Sequence, residues 1–81
     1  MEPVRIQVQC YAGYKAAETP RRFVWQGREI EVAEVLERWA QTGRAPEEAH
    51  TDCFIVAAED GHRYLLSHDL GADEWRLVNR W

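Results

Sequence analysis

Four side chains able to carry out chemistry, His50, Cys53, His62 and His68, fall close together in the chain. A thiol facing an imidazole is the minimum for nucleophilic catalysis, because the thiolate is the attacking species and the ring can remove its proton. The same residues suit a soft metal, since His50-x-x-Cys53 has the spacing of half a zinc site and His68 could supply a further ligand. If Asp60-Gly61 forms a two-residue hairpin turn, Cys53 lies across from His68. A catalytic dyad also needs a lowered thiol pKa, a group to orient the base, and a cleft. A structural metal needs a complete ligand set. A single cysteine between Asp52 and Phe54 in an apolar run reads instead as a small core residue. The chain is therefore expected to be no enzyme and to carry no cofactor, with His50, Cys53 and His68 as the residues a metal would use.

Other chemistry has less to stand on. Glu34, Glu37, Glu47 and Glu48 sit where a wet helix face and a loop are expected, so nothing raises a carboxyl pKa toward acid–base work. Gly27, Gly43, Gly61 and Gly71 each stand singly at an expected turn or cap, which leaves no phosphate-cradling loop. The remaining signal is arginine interleaved with aromatic residues. Arg21, Arg22, Phe23, Trp25 and Arg28 form one group, and Arg63, Tyr64, Trp75, Arg76, Arg80 and Trp81 another. Rings with flanking guanidinium groups stack and neutralise single-stranded nucleic acid. Trp, Tyr and Arg also concentrate energy at protein interfaces. A chain this short needs most of its rings for burial. Tyr11, Tyr14 and Trp81 are the aromatics least accounted for by the expected core. The candidate binding residues are therefore Arg21, Arg22, Arg28, Arg63, Arg76, Arg80, Tyr11 and Trp81.

These residues must be positioned by a small set of elements. Val4, Ile6, Val8 and Cys10 alternate with polar residues at the period of a half-buried strand. Residues 12–19 read as a loop around Gly13. Arg21–Trp25 and Arg28–Val32 flank Gln26-Gly27, a hairpin in which Phe23 faces Ile30, Trp25 faces Arg28 and Arg22 faces Glu31. Val32, Val35, Leu36 and Trp39 then recur at i, i+3, i+4 and i+7, which predicts one amphipathic helix ending at Gly43, with Glu34 and Arg38 on its wet side. A polar connector with Pro46 leads to a second hairpin, Cys53–Glu59 and His62–His68. A last strand carries Trp75 and Leu77 and runs to Trp81. The expected fold is α+β: a curved, mostly antiparallel sheet of five or six short strands in the order β-β-β-α-β-β-β, with one packed helix and the option of barrel-like closure.

The chain has 81 residues, 46% of them hydrophobic and 30% charged, which is one domain spanning residues 1–81 with room for one small core. Its net charge of −4 argues against a generally basic nucleic-acid or membrane binder. The charge is uneven. Residues 1–28 hold five bases against two acids, whereas residues 29–60 hold nine acids against two bases. Nine of the ten bases are arginine, the side chain suited to bidentate recognition of phosphate or carboxylate. Two cysteines 43 positions apart form no disulfide scaffold, which points to the reducing cytoplasm. Met1-Glu2-Pro3 begins no signal peptide, and no run approaches the ~18 apolar residues of a membrane span.

The pattern Phe23-x-Trp25-x-Gly27-Arg28, Val32-x-x-Val35-Leu36-x-x-Trp39, Asp60-Gly61-x-x-Tyr64-x-Leu66 and Trp75-x-Leu77 resembles a family of small bacterial domains of unknown function. Members occur alone and at the C-terminus of Y-family-polymerase-like proteins of mutagenic DNA repair. The resemblance covers roughly residues 19 to 81 and carries over no catalytic residue. It implies an accessory or interaction module. The chain is accordingly expected to bind a protein partner, with single-stranded nucleic acid in a repair setting as the first alternative and a small metal-binding domain as the second. An open sheet edge could also pair two copies into a homodimer.

Overall fold

The computed structural model describes residues 2–11, 19–41 and 50–81. Six strands run β1 (Val4–Cys10), β2 (Pro20–Trp25), β3 (Arg28–Gln41), β4 (Thr51–Ala58), β5 (Arg63–Asp69) and β6 (Glu74–Arg80). Each pairs antiparallel with the next, and β1 pairs antiparallel with β6, closing an up-and-down barrel. The expected α+β architecture is corrected: among the described residues there is no helix, and the segment read as one is, as far as it is described, the part of β3 from Val32 to Gln41. Likewise, no helix among these residues is long and apolar enough to cross a membrane. The loop expected at 12–19 lies outside the described residues except for Thr19. So do the helix end at Gly43 and most of the connector that follows, including Pro46, Glu47 and Glu48.

The reason for the false helix lies in the register of β3 against β4. Val32 pairs with Ala58 and Glu34 with Ala57, leaving Ala33 extra; Val35 pairs with Val56 and Glu37 with Ile55, leaving Leu36 extra. A bulge inserts one residue and so reverses which side of the strand the following residues face. Two bulges three residues apart put Val32, Val35 and Arg38 on the inner face, opposite Ala58, Val56 and Phe54. That spacing of three imitates a helical stripe. The other half of the supposed stripe is not buried, since Leu36 is 41% exposed and Trp39 36%.

The hairpins follow the local chemistry. Gln26 and Gly27 both have positive φ, 53° and 73°, the pair of left-handed residues that a two-residue turn with right-twisted strands requires. Phe23 pairs with Ile30, Trp25 with Arg28 and Arg22 with Glu31, the register that the sequence predicts. The second hairpin differs from expectation by one residue. Gly61 N–H bonds to the Ala58 carbonyl at 3.1 Å and Ala58 N–H to the His62 carbonyl at 2.9 Å, so the loop is Glu59-Asp60-Gly61. Gly61 takes the left-handed position of this three-residue loop, at φ 88°. Cys53 therefore faces Ser67, and it is Asp52 that faces His68.

The interior is filled with side chains. Tyr64, Phe23, Phe54, Leu66, Leu77, Val56 and Pro20 are fully buried, as expected of a barrel too narrow to hold a ligand inside. The ring of Tyr64 meets Phe23 edge to face at 5.0 Å, and Phe54 stacks on Trp75 at 5.5 Å. Phe54→Ala is expected to cost about 3 to 5 kcal/mol through lost burial and a cavity. Leu36→Ala, equally damaging if Leu36 lay on a packed helix stripe, is expected to cost less than about 0.5 kcal/mol. Urea unfolding of the two variants checks both, and comparable losses would contradict the bulged strand.

Candidate functional site

Filling the barrel sends polar chemistry to its two ends and its outer face. At the end with the two hairpin turns, Arg80 acts as a plug. Its guanidinium lies 5.2 Å from the Trp25 ring centre and 5.9 Å from that of Tyr64, and its Nε–H donates to the Tyr64 hydroxyl at 3.3 Å. Tyr64 O–H donates in turn to Asp60 Oδ2, and Asp60 Oδ1 accepts the His62 N–H at 2.9 Å. Partial burial alone would raise the Asp60 pKa. The hydrogen bonds from Tyr64 and His62, with the nearby charges of His62 and Arg80, outweigh it and hold Asp60 below the usual carboxylate range. Burial and the bond to Asp60 push the Tyr64 hydroxyl up, against the opposing pull of Arg80.

The opposite end repeats the use of rings and charge. His68, buried at 4% exposure, stacks on Trp75 at 4.1 Å with planes 6° apart and hydrogen-bonds Asp73 Oδ1 at 2.8 Å. Arg38 lies over Phe54 at 5.0 Å and pairs with Asp52 at 3.8 Å, rather than lying on a wet helix face with Glu34. A groove of about 740 Å³ opens here, its walls including Arg5, Gln7, Asp73, Glu74 and Trp75.

The His/Cys constellation is not assembled. In register, Cys53 lies on the outer side of β4 beside Trp39 and Ser67, where it is nonetheless buried at 6% exposure, whereas His68 faces inward beside Asp52 and Trp75. His50 is exposed ahead of β4, where its carbonyl accepts the Leu70 N–H at 2.9 Å. Burial, and secondarily the charge of Asp52, push the Cys53 thiol up, which disfavours the thiolate. Among the described residues, no three His, Cys, Asp or Glu side chains gather as a metal would need.

The arginine and aromatic candidates scatter over the outside. Arg21 lies 5.8 Å from the ring centre of Tyr11, which is 55% exposed. Arg22 pairs with Glu31 at 3.0 Å, as their facing positions predict. Arg28 is exposed beside the first turn, and Arg76 reaches Glu74 at 3.4 Å. Arg63 and Trp81 are brought together: each donates its backbone N–H to the other's carbonyl, at 3.3 and 2.9 Å. With Ile55 and Gly61 they line an outer hollow of about 390 Å³. A third bond fixes the same backbone, since the Trp81 carbonyl lies 2.8 Å from His62 Nδ1. Yet the Trp81 side chain remains 55% exposed. Reasoning from sequence missed Arg5, the Asp60–Tyr64 bond and exposed Trp39. An Asp in the expected turn four residues before Tyr64 was the one signal available for the second.

The Asp60–Tyr64 bond makes stability depend on pH at both extremes. A lowered carboxyl pKa contributes stability that is present above the unfolded value of about 3.9 and lost as pH falls through the folded value. A raised phenol pKa contributes below the unfolded value of about 10 and is lost as pH rises beyond it. Urea midpoints across pH should fall at both ends, and Tyr64→Phe should flatten both limbs. Unchanged limbs in that variant would show that other groups set them.

A family model described as a domain of unknown function (DUF6504) matches residues 1–81. No curated protein and no solved structure matches the chain.

Proposed function

The chain belongs to the DUF6504 family of domains of unknown function, and from that premise we propose a non-enzymatic protein-interaction module whose contact surface is the outside of the barrel around Trp81. The observation that carries this reading is the contrast at Trp81, a backbone held by three hydrogen bonds under a side chain left 55% exposed. Ordering costs oppose association, so a large residue whose backbone is already held has less freedom left to lose on binding. Trp beside Arg, here Trp81 beside Arg63 and Ile55, is the composition of an interface hot spot. Trp81 stands at a hollow on the outer wall, so an extended segment of the partner is what fits beside it. A photo-crosslinking residue at 81 should capture a discrete partner from a lysate, and one at Gln9 should not. The captured partner should bind Arg63→Ala at least about tenfold more weakly, in keeping with a hot-spot loss above ~1.4 kcal/mol. Indiscriminate capture at both positions would end the proposal.

A second reading, single-stranded nucleic acid in a repair setting, is favoured by one observation: an exposed ring, Tyr11, with a guanidinium, Arg21, over it. It also agrees with the resemblance to domains attached to polymerase-like repair proteins. Titrating tryptophan and tyrosine fluorescence with a mixed-sequence oligonucleotide should give a saturable quench that weakens with salt. Absent or salt-independent quenching would remove this reading.

A further inference from the structure

The seam that closes the barrel contains an arrangement that local energetics disfavour. Arg5 on β1 and Arg76 on β6 are direct register partners, so two like charges stand side by side on the outer face. Both guanidinium groups turn to one carboxylate. Arg5 Nη2 lies 3.7 Å from Glu74 Oε1, and Arg76 Nη2 lies 3.4 Å from Glu74 Oε2. These contacts are long beside the ~2.7–2.9 Å of a well-made charge-assisted bond. One carboxylate cannot neutralise two guanidinium groups, and the trio keeps a surplus positive charge. Most of the planar N–H donors of both forks have no partner in it. Their side chains are 74% and 56% exposed.

We propose that Arg5 and Arg76 form a binding site for a phosphate-class oxyanion, taken either as free phosphate or as the phosphodiester of a single strand. The anion would complete an alternating arrangement of two cations and two anions. Ser67, the register partner of Arg76 on its other side, places a hydroxyl in the same row. The groove lined by Arg5, Gln7 and Glu74 leaves room for the group that bears the phosphate. Asp73 and Glu74 on the same wall oppose a second negative charge, which favours a single phosphate group over a polyanionic cluster. The site lies apart from the Trp81 hollow and does not rest on the protein-interaction reading.

The test follows the arginine side-chain Nε–H resonances by NMR as inorganic phosphate is added, with sodium chloride at matched ionic strength as reference. The Arg5 and Arg76 signals should move saturably with phosphate alone. Arg5→Gln should abolish the response at Arg76, and Arg76→Gln the response at Arg5, with Arg28→Gln leaving both unchanged. Glu74→Gln removes the competing carboxylate and should tighten phosphate binding roughly threefold, the scale of one exposed ion pair. A passive structural trio would not tighten. A mixed-sequence oligonucleotide separates the two sources. If the phosphodiester is read, the slope of log affinity against log salt falls by about one with each Arg→Gln change. If only inorganic phosphate binds, the source is the free ion. Equal responses to phosphate and chloride, with an oligonucleotide salt slope unaltered in both variants, would overturn the proposal.

Discussion

The whole barrel depends on β3 serving two neighbours in succession. Its first four residues pair with β2 and the rest, from Val32 onward, pair with β4. A strand that leaves one partner and follows the next around a tight cylinder must bend, and a bulge bends a strand while increasing its twist. The extra residues Ala33 and Leu36 supply that bend directly after the handover. They also decide which β3 side chains meet Phe54, Val56 and Ala58, so the composition of the core follows from where the bend falls.

Once the strands close, the interior has no space left to do anything but pack. Aromatic rings occupy it from end to end, and the arginines at the mouths are used as lids, Arg80 over Trp25 and Tyr64 and Arg38 over Phe54. This reassigns residues that look alike in the sequence. Arg80 and Arg63 both stand near aromatics, yet one is held against the rings by its guanidinium and the other lies beside an exposed tryptophan on the surface. Among the described residues, the surface left open is thereby the exterior, the two rims and the groove beside β1.

How far the sequence could be read depended on the range of the signal. Val4 to Cys10 alternates cleanly, and Gln26-Gly27 has one comfortable turn geometry, so the first strand and the first hairpin register were legible residue by residue. Asp60-Gly61 signalled a turn but not its length, and one additional loop residue was enough to part Cys53 from His68 and dissolve the apparent dyad. Bulges leave no local mark at all. They are chosen by the closure of the barrel, a property of six strands together, so a period of three in β3 could only look like a helix. Exposure of Tyr11 and Trp81 was legible because no stripe claimed them, whereas the Arg5–Arg76 contact joins residues from opposite ends of the chain.

The pairing order has a kinetic side. Among the described residues, five of the six ladders join strands adjacent in sequence, and only the β1–β6 seam, three residue pairs long, unites distant parts of the chain. Low sequence separation of contacts speeds folding because little loop entropy must be spent before contacts form. Closing the ring therefore carries the largest loop-entropy cost of the six ladders. The seam is also the shortest ladder and carries the like-charged pair, so it is where the cylinder would first come apart, opening it into a β1–β6 meander in which β1 stays paired to β2.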